Sequence, residues 1–214
     1  MNDKKPAPPT LLLLVRHGLT PTTGVKMPGR ARGLHLSDEG RRQAEAAAAR
    51  IAKIPKVTAV YSSPLERARE TAAIIAKARN MVVRIDRGLL ELDIGRWAGM
   101  ALKDAASKPE WKAVQQHPSG FRFEGGESFT EMQARVTGAI ARVVARHQGR
   151  IVVVVSHADP IKAAVAHALG TPLDLFQRIM IGTASISAIA YRSSGAAVLT
   201  VNSFDGDLVA LGIK

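Results

Sequence analysis

Four stretches of the chain place reactive side chains directly after a short apolar run. Arg16-His17-Gly18-Leu19-Thr20 follows Leu11–Val15, and Ser62-Ser63-Pro64 follows Val57–Tyr61, with Arg67 one helical turn further on. Glu91 comes after Val82–Ile85 and a short loop, and Ser156-His157-Ala158 follows Ile151–Val155. Two histidines, two arginines and a carboxylate are the set that transfer of a phosphoryl group requires. Charge builds on three equatorial oxygens, so the protein supplies position and electrostatic stabilisation more than covalent chemistry. Two guanidiniums can grip those oxygens in bidentate fashion. A neutral imidazole can attack phosphorus, a second can donate a hydrogen bond, and a carboxylic acid can protonate the leaving oxygen. Arginines beside the histidines disfavour a further positive charge and lower their pKa. Each piece alone is weak, because a lone Arg67 is commonly a solvated helix residue and a lone Glu91 a loop acid. Their shared place after a strand gives them weight.

The elements that must position these groups alternate between β-like and helical patterns. Leu11–Val15 and Ile151–Val155 are continuous apolar runs, as in strands buried on both faces. Ser37 is set to cap a helix to about Ile51, with Asp38 and Glu39 in its first turn. Pro64 stands near the start of a helix running to about Ala78, and another helix follows Pro160 and ends near Gly170. Phe129, Met132, Val136, Ile140, Val143 and Val144 form the apolar stripe of a long helix from Ser128 to His147. Ser185–Tyr191 and Ala197–Val201 close the chain as two strands around the turn at 193–195. Residues 86–126 are less regular and hold Trp97, Trp111, Phe121 and Phe123; they are expected to form an insert over the sheet with one helix near Lys108–Gln116. This pattern predicts an α/β fold, a three-layer sandwich with a mostly parallel central sheet flanked by helices. Ligands of such folds bind beyond the carboxyl ends of the strands. The expected organisation is a loose tail at 1–9 and a single domain at 10–214.

The chain has 214 residues, 46% hydrophobic and 22% charged, as an ordinary globular protein does. It contains no cysteine, which removes disulfides, thiolate metal sites and a cysteine nucleophile together. The apolar run near the N-terminus is too short for a signal-peptide core or a membrane span, so a cytoplasmic protein is expected. A formal net charge of +12 favours anionic partners. Aromatics make up only 4% and are not interleaved with basic residues, so base stacking on nucleic acid is not expected. No histidine pair has the spacing of a helical zinc site, and His157 with Asp159 is too small a set to close one. No metal and no cofactor is expected. His35, His117, His147 and His167 read as structural or solvent-facing.

Several of these stretches resemble the histidine phosphatase superfamily, also called the phosphoglycerate mutase-like family. The resemblance is carried by Val15-Arg16-His17-Gly18-Leu19-Thr20, by Leu36-Ser37-Asp38-Glu39-Gly40 with Gln43-Ala44, and by Tyr61 to Ala72. Leu90 to Gly99, Gly125-Gly126-Glu127-Ser128 and Val155-Ser156-His157 complete it. It implies that His17 is the phosphorylated nucleophile, that Arg16, Arg67 and His157 form the phosphate pocket, and that Glu91 is the general acid and later the base. Thr20 would line the pocket. Three positions depart from the family pattern: Ala158 replaces a glycine, Thr23 an asparagine and Ala98 an acid. The resemblance implies a metal-independent hydrolase of small phosphorylated metabolites. A phosphoglycerate mutase-type phosphomutase is the alternative, and a non-catalytic phosphate- or nucleic-acid-binding module a remote one. Leu19–Arg32 holds neither Trp nor Asn, unlike the mutases, although Lys26, Arg30 and Arg32 could meet a second anionic group. Assembly into a homo-oligomer is left open by the sequence.

Overall fold

The computed structural model describes residues 7–211. Of the expected tail, residues 1–6 lie outside the described residues, and Ala7–Pro9 are exposed without regular structure. Six strands form one sheet: β1 (Thr10–Arg16), β2 (Val57–Ser62), β3 (Val83–Ile85), β4 (Ile151–Ser156), β5 (Ile186–Arg192) and β6 (Gly195–Ser203). Their order is β3-β2-β4-β1-β5-β6. The pairs β1–β4, β2–β4 and β2–β3 are parallel, whereas β5 is antiparallel to both β1 and β6. The sheet is mostly parallel, as expected, and mixed only in that β5 alone is reversed. A two-residue turn makes β5 and β6 antiparallel to each other, and the pairing of β5 with β1 makes β5 the reversed one.

Side chains of β1 alternate between two cores. Leu11, Leu13 and Val15 pack with residues of α1 (Asp38–Ala52) and α2 (Glu66–Lys77). Leu12 and Leu14 pack with α5 (Phe129–Arg146), α6 (Ala158–Leu169) and the 86–126 segment. Period-two alternation thus makes the three layers. The helix ends follow their signals. The Ser37 hydroxyl accepts from the Gly40 N–H at 3.1 Å, Ser128 and Glu131 form a reciprocal capping box, and Gly170 takes a left-handed φ of 68° after α6. α2 begins at Glu66, close after Pro64 as expected. The start of α6 differs from expectation: it begins at Ala158, before Pro160, because proline is tolerated in a first turn that has no intrahelical donor to lose. The insert holds two short helices, α3 (Leu102–Ala106) and α4 (Trp111–Gln116), in place of the one expected. Trp97 and Phe123 are buried, and Trp111 and Phe121 pack half-buried on the same core with Phe129 and Phe176.

Candidate active site

The register fixes the rim. Arg16 lies level with Ser156, and Ser62 with Val155, so the three parallel central strands end together. The His17 N–H then donates to Ser156 O and the Ser63 N–H to Val155 O, both at 3.0 Å. His17, Ser63 and His157 leave the sheet side by side. The two imidazole rings meet edge to face with centroids 5.1 Å apart.

His17 is 5% exposed. Its Nδ1 stands 2.8 Å from Gly18 O. A carbonyl only accepts, so Nδ1 carries the proton and Nε2 keeps its lone pair. Burial, then Arg67, then Arg16 hold the His17 pKa down to about 3, against the weaker opposing pull of the Gly18 carbonyl. The arginines expected to depress this histidine do so, but desolvation comes first. Burial, Arg67, His17 and Arg16 likewise keep His157 well below its usual range. The Nε2 of His157 pairs with Ser63 Oγ at 2.8 Å.

Arg67 is fully buried, although its place in α2 suggests a solvated residue. Its guanidinium donates to Gly29 O at 2.8 Å and to Ala31 O at 3.4 Å, and Arg16 donates to Ile181 O at 2.7 Å. Among the described residues, Arg16 Nε, Arg67 Nε and His157 Nδ1 are buried with no protein partner. Orphaned donors on buried cationic or polar groups cost free energy unless an acceptor meets them. A tetrahedral oxyanion supplies several acceptors at once.

Glu91 is half-buried, and its Oε1 accepts from the Leu92 N–H at 2.9 Å. Burial and the nearby Asp159 push its pKa up to about 7, outweighing the Leu92 bond and the two arginines. Thr20 is buried, its hydroxyl 2.9 Å from Thr23 Oγ1, which also accepts from the Thr20 N–H at 3.1 Å. The threonine that stands where the family often has asparagine therefore orients Thr20. Ala158 opens α6 and carries one of that helix's unpaired N–H groups. The structure brings all six predicted positions and Glu91 to one end of the sheet.

Sequence reasoning missed five contributors. Ser63 holds His157, and Thr71 Oγ1 accepts from the Gly18 N–H at 3.1 Å. Asp159, ion-paired with Lys162 at 3.3 Å, raises Glu91. Glu127 and Arg135 form a half-buried ion pair against the Glu91 loop. Ser63 and Asp159 follow strand ends and were findable on that ground; the other three, Thr71, Glu127 and Arg135, act from helix interiors or starts and carry no such signal. Of the three cations expected for a second anion, Arg30 is engaged by Asp93, Glu127 and Glu91 O, while Lys26 and Arg32 are exposed. Among the described residues no cluster of three or more His, Cys, Asp or Glu is arranged to hold a metal, and no helix is long and apolar enough to cross a membrane.

A three-layer α/β fold with two buried histidines, the buried Arg67, the half-buried Arg16 and a raised carboxyl group at one strand-end rim defines a site suited to phosphoryl transfer. The model of the histidine phosphatase superfamily (branch 1) matches residues 12–203, and the chain belongs to that superfamily. It is 35% identical over 189 residues to a bifunctional protein of Mycobacterium tuberculosis, covering 88% of this chain and 52% of that protein. The chain thus spans about half the length of that relative. It is 35% identical over 196 residues to phosphoserine phosphatase 1 of Hydrogenobacter thermophilus, covering 89% of this chain and 91% of the other. A mycobacterial glucosyl-3-phosphoglycerate phosphatase has the same fold, with a TM-score of 0.81 at 28% identity over 90% of this chain and 98% of the other.

Proposed function

We propose that the protein hydrolyses phosphate monoesters of small metabolites through a phosphohistidine on His17. One observation carries the reading: in a buried pocket flanked by Arg16 and Arg67, His17 is neutral and its Nδ1 proton is committed to Gly18 O. Only Nε2 is left to react. In the first step Nε2 bonds to phosphorus, the ester P–O bond breaks, and protonated Glu91 gives its proton to the leaving oxygen. In the second step water attacks the phosphohistidine, Glu91 takes the water proton, and phosphate leaves with the Nε2 lone pair restored. Arg16, Arg67, His157 and the Ala158 N–H hold the equatorial oxygens, and Thr20 lines the pocket. No metal takes part in these steps, because the arginines supply the positive charge.

Hydrolysis is favoured over the mutase reaction by Arg30, whose charge is spent on Glu127 and Asp93 and is withheld from a second anionic group. The relatives named as phosphatases act on small phosphorylated compounds, and the same class of substrate is inferred here rather than nucleic acid. We take residues 10–214 as one domain, with 86–126 facing the substrate, at work in the cytoplasm.

The test is His17→Ala with p-nitrophenyl phosphate and with 3-phosphoglycerate. The variant should lose turnover, and the parent protein alone should trap an acid-labile, alkali-stable phosphoenzyme. Activity retained within about tenfold, or about 1.4 kcal/mol of barrier, overturns the nucleophile. Interconversion of 2- and 3-phosphoglycerate faster than phosphate release overturns hydrolysis in favour of the mutase.

A further inference from the structure

We propose that Glu127 is a positioning residue that acts through Arg135 and Arg30 to fix the backbone carrying Glu91 and the loop that orients Arg67. The inference rests on the reading of Glu91 as the proton donor. Glu127 precedes α5, where a bland role in capping is the obvious expectation. That role is already filled: the cap is complete with Ser128 and Glu131, and the Glu127 side chain takes no part in it.

Its carboxylate instead accepts three hydrogen bonds and closes a further ion pair. Arg135 Nε reaches Oε1 at 2.7 Å and Arg135 Nη2 reaches Oε2 at 2.9 Å, a bidentate fork. Oε2 also accepts from the Asp93 N–H at 3.2 Å and ion-pairs with Arg30 Nη2 at 2.8 Å. Burial alone would raise the Glu127 carboxyl, but Arg135, the Asp93 amide and Arg30 together hold it below the usual carboxylate range. It is an anion at neutral pH, and two guanidiniums are held in place by it.

Both guanidiniums use their remaining N–H groups on the loop that carries Glu91. Arg135 Nη1 donates to Gly88 O and Leu90 O, each at 2.9 Å, and Arg135 Nη2 to Glu91 O at 3.4 Å. Arg30 Nε donates to Glu91 O at 2.9 Å. Three carbonyls in four residues are thereby clamped, the last of them on Glu91 itself. Arg30 has a second consequence. The carbonyls on either side of it, Gly29 O and Ala31 O, are the acceptors of the Arg67 guanidinium. Pulling Arg30 onto Glu127 fixes the two acceptors that aim Arg67. A lysine at either arginine would keep the charge but could not span a carboxylate and several carbonyls at once.

The geometry sets apart the effects of the two arginines. Arg135 serves the acid alone, whereas Arg30 serves both the acid and the phosphate grip. The test uses the full chain with p-nitrophenyl phosphate, whose leaving group needs no proton, and glycerol phosphate, whose leaving group does. Arg135→Lys and Glu127→Gln should each lower kcat on glycerol phosphate at least about tenfold more than on the aryl ester. Arg30→Lys should in addition raise KM for both, and so should Glu127→Gln, which releases Arg30 as well. In a Glu91→Gln background, Glu127→Gln should add little further loss of kcat on glycerol phosphate, because both changes remove the same proton transfer.

Equal slowing of the two esters by Arg135→Lys and Glu127→Gln, or full additivity with Glu91→Gln, overturns the inference. Should Glu127→Gln fail to fold, Arg135→Lys and its combination with Glu91→Gln carry the same test. An active His17→Ala would remove the underlying reading; an inactive His17→Ala with equal slowing removes only the role of Glu127.

Discussion

A carboxyl group that ionises only near neutral pH can deliver a proton at a pH where a histidine beside it is already neutral. Glu91, pushed up to about 7, and His17, held down to about 3, are separated in this way by their surroundings. The reacting form needs His17 deprotonated and Glu91 protonated. For an alkyl phosphate, kcat/KM should therefore fall as pH rises through about 7, and this limb should vanish in Glu91→Gln while turnover of aryl phosphates is slowed far less. A limb that persists in the variant, or equal slowing of both ester classes, would remove Glu91 from the acid role. The same group has a stability consequence of the less usual sign. The folded protein holds a proton that the unfolded chain sheds between the ordinary value of 4.5 and about 7, so stability from Glu91 declines as pH rises through that window. Glu91→Gln abolishes this loss. Thermal melts should show the Tm of the variant gaining on the parent between pH 5 and pH 8; a difference that does not change with pH would count against the raised carboxyl group. His17 has the opposite sign, gaining stability as pH rises from about 3, but it is present in both proteins and cancels.

At the scale of elements, the His17 loop depends on how closely it can approach the start of α1. A Cβ on Gly18 would lie 2.2 Å from Gly40 O, and one on Gly40 would lie 2.0 Å from Leu19 O. The two glycines let two backbones touch, and the contact is tied by Ser37 N–H to Leu19 O at 3.0 Å and by Leu19 N–H to Gln43 Oε1 at 3.0 Å. Gly40→Ala sets two effects against each other. Alanine favours a helix over glycine by about 1 kcal/mol, whereas forcing a methyl into filled space costs about 1–3 kcal/mol. Contact with backbone oxygen leaves no side chain to move aside, so the clash should win. We expect a Tm lower by several degrees, at about 2–4 °C per kcal/mol for a chain of this size, and reduced kcat although Gly40 touches no substrate. A raised Tm would show that α1 can shift without disturbing His17.

Over the whole molecule, thirty basic residues against eighteen acidic ones give a net charge of +12. The site itself is buried and little screened, but the approach of a phosphate dianion is governed by the outer field. Raising salt from about 0.02 to about 0.5 M should lower kcat/KM on a small monoester about three- to tenfold and leave kcat nearly unchanged, since the screening length shrinks from tens of ångströms to a few. A flat kcat/KM would mean that the surplus charge faces away from the entrance and serves some other purpose.

Residue types at strand ends were enough to pick out the groups that share one rim, because a parallel sheet brings its carboxyl-terminal loops together whatever the details. Ser37, Ser128 and Gly170 marked helix ends by local hydrogen bonding alone, and the alternation along Leu11–Val15 needed only the pleat. What the chain pattern did not reveal lies in contacts between residues distant in sequence. The fully buried Arg67 has the sequence context of a solvated helix residue, and only the carbonyls of Gly29 and Ala31 and the wall of the sheet make burial tolerable. The engagement of Arg30, which withholds a cation from a second anionic group, depends on Glu127 and Asp93, far along the chain. The reversal of β5 follows from its pairing with β1, not from its composition. The raised Glu91 is likewise a tertiary effect, since burial and the charge of Asp159 arrive only when the loop after β3 folds over the start of α6. Sequence selects which groups are present and which element carries each; long-range packing decides which charges are desolvated, and so which proton moves.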